Sequence, residues 1–180
     1  AIRAAGDGQS AAREILRTVS HLSPREVTDS VHKALAYTET AGEIPVIVAK
    51  THLSQGIEEF TVRAPLIARS AQAGQFVRVL PTPDGELIPL TLADWDAAAG
   101  TITLVIQAMG TSTLQINLMS VGMALAGVAG PLGRPSELER YEEGTVVFTA
   151  GGLGLPPVYP IMREHLRMGN HVTLISGFRS

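Results

Sequence analysis

The run Thr149-Ala150-Gly151-Gly152-Leu153-Gly154-Leu155-Pro156-Pro157 has the makings of a phosphate-binding turn. The β-branched stretch Thr145 to Ala150 leads into glycines, and the glycines lead into a segment with one apolar face, Val158, Ile161, Met162 and Leu166. Glycines let a backbone approach a diphosphate closely, and a helix N-terminus adds free amides and the positive end of a dipole. Pro in the first turn gives up an amide the helix cannot use. The same residues also suit a tight strand-to-helix turn with no ligand. The acidic residue that would hold a ribose is absent at the end of the next strand, where Arg179 and Ser180 stand. An Arg there suits a 2′-phosphate, favouring NADP over NAD, or simply a solvated surface.

Gly110-Thr111-Ser112-Thr113 is a second anion-binding candidate, with hydroxyls and free amides opening a short helix. A plain N-cap accounts for the same residues. Ile88-Pro89-Leu90-Thr91-Leu92-Ala93-Asp94 is a third candidate. Pro89 restricts this strand to an edge or a strand start, and Thr91 can donate a hydrogen bond to a planar ligand. Other chemistry is poorly supplied. The five His show no metal-ligand spacing, there is no Gly-x-Ser-x-Gly elbow, and Asp94 and Asp96 around Trp95 read as turn caps. The absence of Cys excludes thiolate nucleophiles, disulfides and iron–sulfur ligation by these residues. No metal site and no side chain acting as a catalytic acid or base is expected.

These motifs need elements to hold them. The 180 residues are 45% hydrophobic and only 17% charged, a composition that builds a core and not a disordered chain. The net charge of -3, with Lys only at positions 33 and 50, gives no general attraction to nucleic acid. No apolar run reaches the length of a membrane span and no leader is legible, so a cytoplasmic protein is expected.

Three parts follow one another. Residues 1–43 read as a helical appendage. Ser23-Pro24-Arg25-Glu26 has the pattern of a helix start, and Val27, Val31 and Leu35 make one stripe. Residues 44–140 read as antiparallel strands at 44–50, 57–64, 75–80, 88–93, 101–108 and 123–128, rich in β-branched residues and bounded by turns such as Pro83-Asp84-Gly85. Thr101, Thr103 and Val105 alternate with Ile102, Leu104 and Ile106, as in a half-buried strand. Residues 141–180 read as one βαβ unit. The expected fold is α+β: a helical N-terminal segment, an antiparallel Greek-key barrel, and the first βαβ unit of a Rossmann-like domain. A single such unit leaves sheet edges and helix faces uncovered, so a fragment, or a chain completed by a partner, is expected.

The order of motifs carries more than any one of them. Gly74-Gln75-Phe76-Val77, Ile88-Pro89-Leu90-Thr91, Gly110-Thr111-Ser112-Thr113, Gly130-Pro131-Leu132-Gly133 and Gly151-Gly152-Leu153-Gly154-Leu155-Pro156 together resemble the ferredoxin–NADP reductase superfamily. The branch they resemble holds the dihydroorotate dehydrogenase electron-transfer subunits and the small subunit of NADH-dependent ferredoxin:NADP oxidoreductase. The resemblance covers residues 44–180. It implies an FAD-binding barrel in which Ile88, Pro89, Leu90, Thr91 and Leu92 face the isoalloxazine. Gln107, Gly110, Thr111, Ser112 and Thr113 would hold the rest of FAD, with the diphosphate at the helix start. Gly151, Gly152, Gly154, Leu155, Pro156 and Arg179 would hold the pyridine nucleotide. There are departures. Ile88 stands where many members have Arg, Pro156-Pro157 where Ala-Pro is common, and Met123 where an acidic residue is frequent. The branch's Cys-rich segment is missing. Ala5-Gly6-Asp7-Gly8-Gln9-Ser10-Ala11-Ala12 is similar to the last motif of flavoproteins of the glutamate synthase small-subunit type, and equally to an Asp-Gly turn capping a helix.

The resemblance implies a flavin-dependent oxidoreductase that takes electrons from NAD(P)H and passes them to an iron–sulfur or flavoprotein partner. The cluster would belong to that partner or to a missing segment. Orientation and electrostatics would be the protein's share. The rival is a binding or scaffold module of a flavoprotein complex without its own redox site. A nucleotide sensor that binds without turnover is a lesser rival.

Overall fold

The computed structural model describes residues 44–178. The helical appendage, the Gly-Asp motif at 6–7 and Arg179 therefore lie outside the described residues. In chain order the elements are β1 (Ile47–Ser54), β2 (Ile57–Arg63), α1 (Pro65–Ser70), β3 (Phe76–Leu80), β4 (Ile88–Thr91), β5 (Asp94–Asp96), β6 (Thr101–Gln107), α2 (Thr111–Leu118), β7 (Gly127–Leu132), β8 (Thr145–Gly151), a 3-10 turn at Gly152–Gly154, α3 (Leu155–Arg167) and β9 (His171–Gly177).

The closed barrel expected over 44–140 is not formed. The strands make two open antiparallel sheets, ordered β1-β2-β6-β5 and β4-β3-β7. The reason lies at two corners. After β4, the Leu92 amide donates to the Gln75 carbonyl of one sheet and the next amide, Ala93, donates to Thr103 of the other. The expected strand 88–93 thus divides at a bend, and β5 belongs to the second sheet. At the other corner β1 meets the chain before β7 through a single bridge, Val46 to Ala124, flanked by Ile47 N–H to Met123 O and Leu125 N–H to Pro45 O. Pro45 has no amide to extend that contact into a ladder. β7 begins only at Gly127 and pairs with β3, so the expected strand 123–128 shifts along the chain.

One core fills the space between the sheets. Phe60 and Val62 of β2, Val77 and Val79 of β3, and Ile102, Leu104 and Ile106 of β6 are buried there together. The alternation read in 101–106 holds residue by residue. α1 was not expected from the sequence. Pro65 suits its first turn, and Ile67 and Ala68 are buried on the same core. Gly130 of β7 needs to be Gly, because a Cβ there would lie 2.7 Å from Val77 Cγ1. That gives the Gly-Pro-Leu-Gly run a packing reason.

β8 and β9 pair in parallel from Thr145–His171 to Gly151–Gly177, with α3 as the crossover. This is the expected βαβ unit. Among the described residues, no helix is long and apolar enough to cross a membrane.

Candidate functional site

β4 is the edge of its sheet, where a proline costs no ladder bond. Its residues alternate. Ile88 and Leu90 are half-buried against the core, whereas Pro89 and Thr91 are exposed and share the outer face. The Leu92 side chain, at the corner, is buried in the core. The side chains that β4 turns outward are those of Pro89 and Thr91. Gln107 ends β6 opposite Ile57 and is half-buried.

α2 is pinned at its C-terminal end. Lys50 Nζ donates to the carbonyls of Asn117 at 2.5 Å and Met119 at 3.1 Å while lying 5.3 Å from the Phe60 ring centre. A cation on those last carbonyls also complements the helix dipole. At the other end, Leu114 N–H donates to the Gly110 carbonyl at 2.9 Å, which starts the helical ladder. The amides of Thr111, Ser112 and Thr113 precede it and are the first-turn donors a helix leaves over. The first turn carries no acidic residue. The hydroxyls divide differently from the amides. Thr111 is exposed and Ser112 is buried. The Thr113 hydroxyl accepts from the amides of Met109 at 3.0 Å and Gly110 at 2.9 Å, and donates to the Gly110 carbonyl. Thr113 thus caps its own turn, and Thr111 is the hydroxyl facing solvent. Among the described residues nothing accepts from these three amides, and beside an exposed hydroxyl they suit a diphosphate.

The glycine turn after β8 is built another way. Gly151 pairs with Gly177 across the sheet, and a Cβ on it would lie 3.1 Å from the Gly177 carbonyl oxygen. Gly152 has φ +52, and open space surrounds it. Leu155 N–H donates back to the Gly152 carbonyl, and Pro156 and Pro157 have no N–H. Those three positions at the start of α3 therefore present no free amide. A diphosphate here would have to use the turn backbone before Leu155, not the first helical turn.

The two candidate sites are joined by residues the sequence reading passed over. Asp94, at the start of β5, forms an ion pair with Arg163 of α3. The Arg163 guanidinium carbon lies 5.0 Å from the Trp95 ring centre and 5.9 Å from that of Tyr159. Asp94 Oδ1 also accepts from the Trp95 amide at 2.7 Å, which fixes the carboxylate. Only Asp96 acts as a turn cap, accepting from the amides of Ala98 and Ala99. The available signal was Tyr159 and Arg163 one helical turn apart, on a face of α3 that had to meet something. Asp94 follows Thr91 by three residues, around the corner at Leu92 and Ala93, so the contact ties α3 to the strand that continues from β4. Among the described residues, no cluster of three or more His, Asp or Glu is placed to hold a metal.

No family model matches the chain. It is 39% identical over 139 residues to an "uncharacterized protein in adh 3′region" of Clostridium beijerinckii, covering 74% of this chain and 47% of that protein. It is 35% identical over 134 residues to a dihydroorotate dehydrogenase B (NAD(+)) electron transfer subunit homolog of Thermotoga maritima, with the same coverage of each. Among solved structures, an NADH-dependent reduced ferredoxin-NADP oxidoreductase superposes with a TM-score of 0.74 at 34% identity, covering 77% of this chain and 49% of that one. The chain is homologous to the ferredoxin–NADP reductase superfamily. Phthalate dioxygenase reductase, at 20% identity and a TM-score of 0.61, shares the fold. The chain spans about half the length of the curated relatives it matches.

Proposed function

We propose that this chain is the flavin-bearing part of an electron-transfer oxidoreductase that takes electrons from NAD(P)H and delivers them to an iron–sulfur or flavoprotein partner. FAD would lie along the outer face of β4, with Thr91 hydrogen-bonding its ring and Pro89 packing beside it. The amides of Thr111, Ser112 and Thr113 would hold its diphosphate, with Gln107 at the end of the neighbouring strand. The backbone of Gly151, Gly152 and Gly154 would hold the pyridine nucleotide, Leu155 and Pro156 would wall it, and Arg179 would meet a 2′-phosphate. Bound FAD supplies the conversion between two-electron and one-electron transfer. The residues' own work is to orient two planar ligands and to shield the space between them.

The observation that carries this reading is the Asp94–Arg163 contact, which ties β5, the strand that follows β4 around the corner, to the helix following the glycine turn. Support comes also from the electron-transfer subunit homolog of Thermotoga maritima, 35% identical over the same region. The test is the visible spectrum of the purified protein, followed by denaturation and identification of what is released. The expected result is a flavin spectrum, FAD on release, and anaerobic bleaching by NADH or NADPH. A colourless protein that takes up no added FAD overturns the proposal.

A second reading has one observation in its favour. Pro156 and Pro157 remove amides from the start of α3, which suits a module that positions partners without binding nucleotide. Flavin that binds but is never bleached by either nucleotide decides for it.

A further inference from the structure

We infer that Arg163 is a positioning residue: clamped on Asp94 and seated over the Trp95 ring, it sets the orientation of the glycine turn relative to strand β4. The inference rests on the function proposed above for its kinetic consequence, but not for its structural one.

Among the described residues, two sets of side-chain bonds join the βαβ unit to the rest of the chain. The first is local. Asn170 Oδ1 accepts from the Tyr141 amide at 2.7 Å, and Asn170 Nδ2 donates to the Glu139 carbonyl at 2.8 Å and approaches His165 Nδ1 at 2.9 Å. These bonds tie the unit to the segment leading into it. The second is Arg163, 69 residues from Asp94 along the chain. Beside it runs a cleft of about 300 Å³, lined by Ala71, Ala73, Ser136, Leu138, Glu164 and Arg167. The cleft interrupts the packing beside the guanidinium contact.

The chemistry of the contact is directional. A planar guanidinium meets a carboxylate edge-on while its face lies against an aromatic ring, which a Lys ammonium cannot reproduce. Arg163 keeps 20% of its side chain exposed and Asp94 35%, so water screens the pair in part. Glu164 Oε1 stands 3.7 Å from Arg163 Nε and 2.9 Å from Arg167 Nη1, which adds a second negative group on the same helix. Each end of the clamp is close along the chain to a candidate site. Asp94 follows Thr91 within three residues, and α3 follows the Gly152–Gly154 turn without a break. A tilt of α3 thus moves the turn relative to Thr91, and a misplacement of about 1 Å costs a transfer step about a hundredfold.

The test uses the full chain. It has no Cys, so Thr51→Cys in β1 and Leu166→Cys in α3, both exposed, give two unique spin-label sites. The expected distance distribution is narrow in the parent, broad in Arg163→Ala and in Asp94→Asn, and narrowed again in the exchanged pair Asp94→Arg with Arg163→Asp. An unchanged distribution in Arg163→Ala overturns the inference whether or not the protein binds flavin. In parallel, the anaerobic rate of flavin reduction by NAD(P)H in Arg163→Ala is expected to fall about ten- to hundredfold while FAD and nucleotide affinities stay within about twofold. Arg163→Lys is expected to fall between parent and Arg163→Ala. A reduction rate within twofold of the parent, or a loss of rate matched by an equal loss of affinity, removes the positioning role. If the parent binds neither ligand, the proposed function fails and the distance measurement alone judges the clamp.

Discussion

Replacing Thr111 by Asp places a negative charge at the first helical position of α2, where the apo protein and the loaded protein should respond in opposite directions. No acidic residue stands in that first turn, and Thr111 is exposed. A carboxylate there complements the helix dipole and is worth about 0.3–1 kcal/mol, a rise in Tm of about 1–3 °C for a chain of this size. The same carboxylate would lie roughly 5 Å from a diphosphate held by the three amides. Coulomb's law gives about 0.8 kcal/mol per charge at the dielectric constant of water and about 3 kcal/mol at an effective value near 20. Two phosphate charges double this, and the ionic atmosphere at 0.15 M roughly halves it. The net expectation is a loss of about 1–3 kcal/mol, or roughly 5- to 150-fold in FAD affinity. Fluorescence titration of the flavin-free protein measures the affinity and thermal unfolding of the same sample measures the Tm. Raising the salt should narrow the difference between Asp and parent. A higher Tm with FAD affinity unchanged would put the diphosphate somewhere other than α2. A lower Tm would mean that α2 does not begin at Thr111.

Gly152→Val should force an L side chain into φ +52, which costs about 1–2 kcal/mol and reshapes the turn; nucleotide-driven bleaching should weaken while flavin content stays whole, and an unchanged nucleotide affinity would move the site off this turn. Gly130→Ala should drive a methyl against Val77 Cγ1 and lower unfolding stability by about 1–3 kcal/mol, read from the shift of the urea midpoint. Thr91→Val keeps the shape of an exposed strand residue, so stability should change by less than about 0.5 kcal/mol while the absorption maxima of bound flavin shift. A spectrum identical to the parent's would deny Thr91 a contact with the ring.

How much of the fold was legible depended on whether a feature is local. β6 was plain because Ile102, Leu104 and Ile106 face a core that Thr101, Thr103 and Val105 do not. β1 and β7 were placed several residues off, because the apolar runs from Ile44 and from Met123 look alike in both registers and pairing partners decide between them. α1 was missed since six residues opening on a proline carry too little periodicity to register. Barrel closure was beyond reach for a different reason. It depends on whether two edges hydrogen-bond, and at Leu92 and Ala93 successive amides turn to different sheets. Nothing in the alternation of side chains reports which carbonyl an amide will find.

The site divides along the same line. A glycine turn or a helix start announces itself because phosphate recognition uses the backbone of a few consecutive residues. Whether a given group is free to act is decided by contacts that the motif does not contain. Thr113 reads as a phosphate ligand until the amides of Met109 and Gly110 are seen to occupy its hydroxyl. Asp94 reads as a turn cap until Arg163 arrives from across the chain. Pro156 and Pro157 were legible, and their consequence could have been drawn. A helix whose first residue bonds back to Gly152, and whose next two residues lack N–H groups, has little left to offer an anion. The positive end of the α3 dipole still faces the turn, so attraction survives where hydrogen bonding does not. A nucleotide held mainly by that field should bind with a steeper salt dependence than one gripped by first-turn amides, and its affinity between low and high ionic strength would separate the two modes.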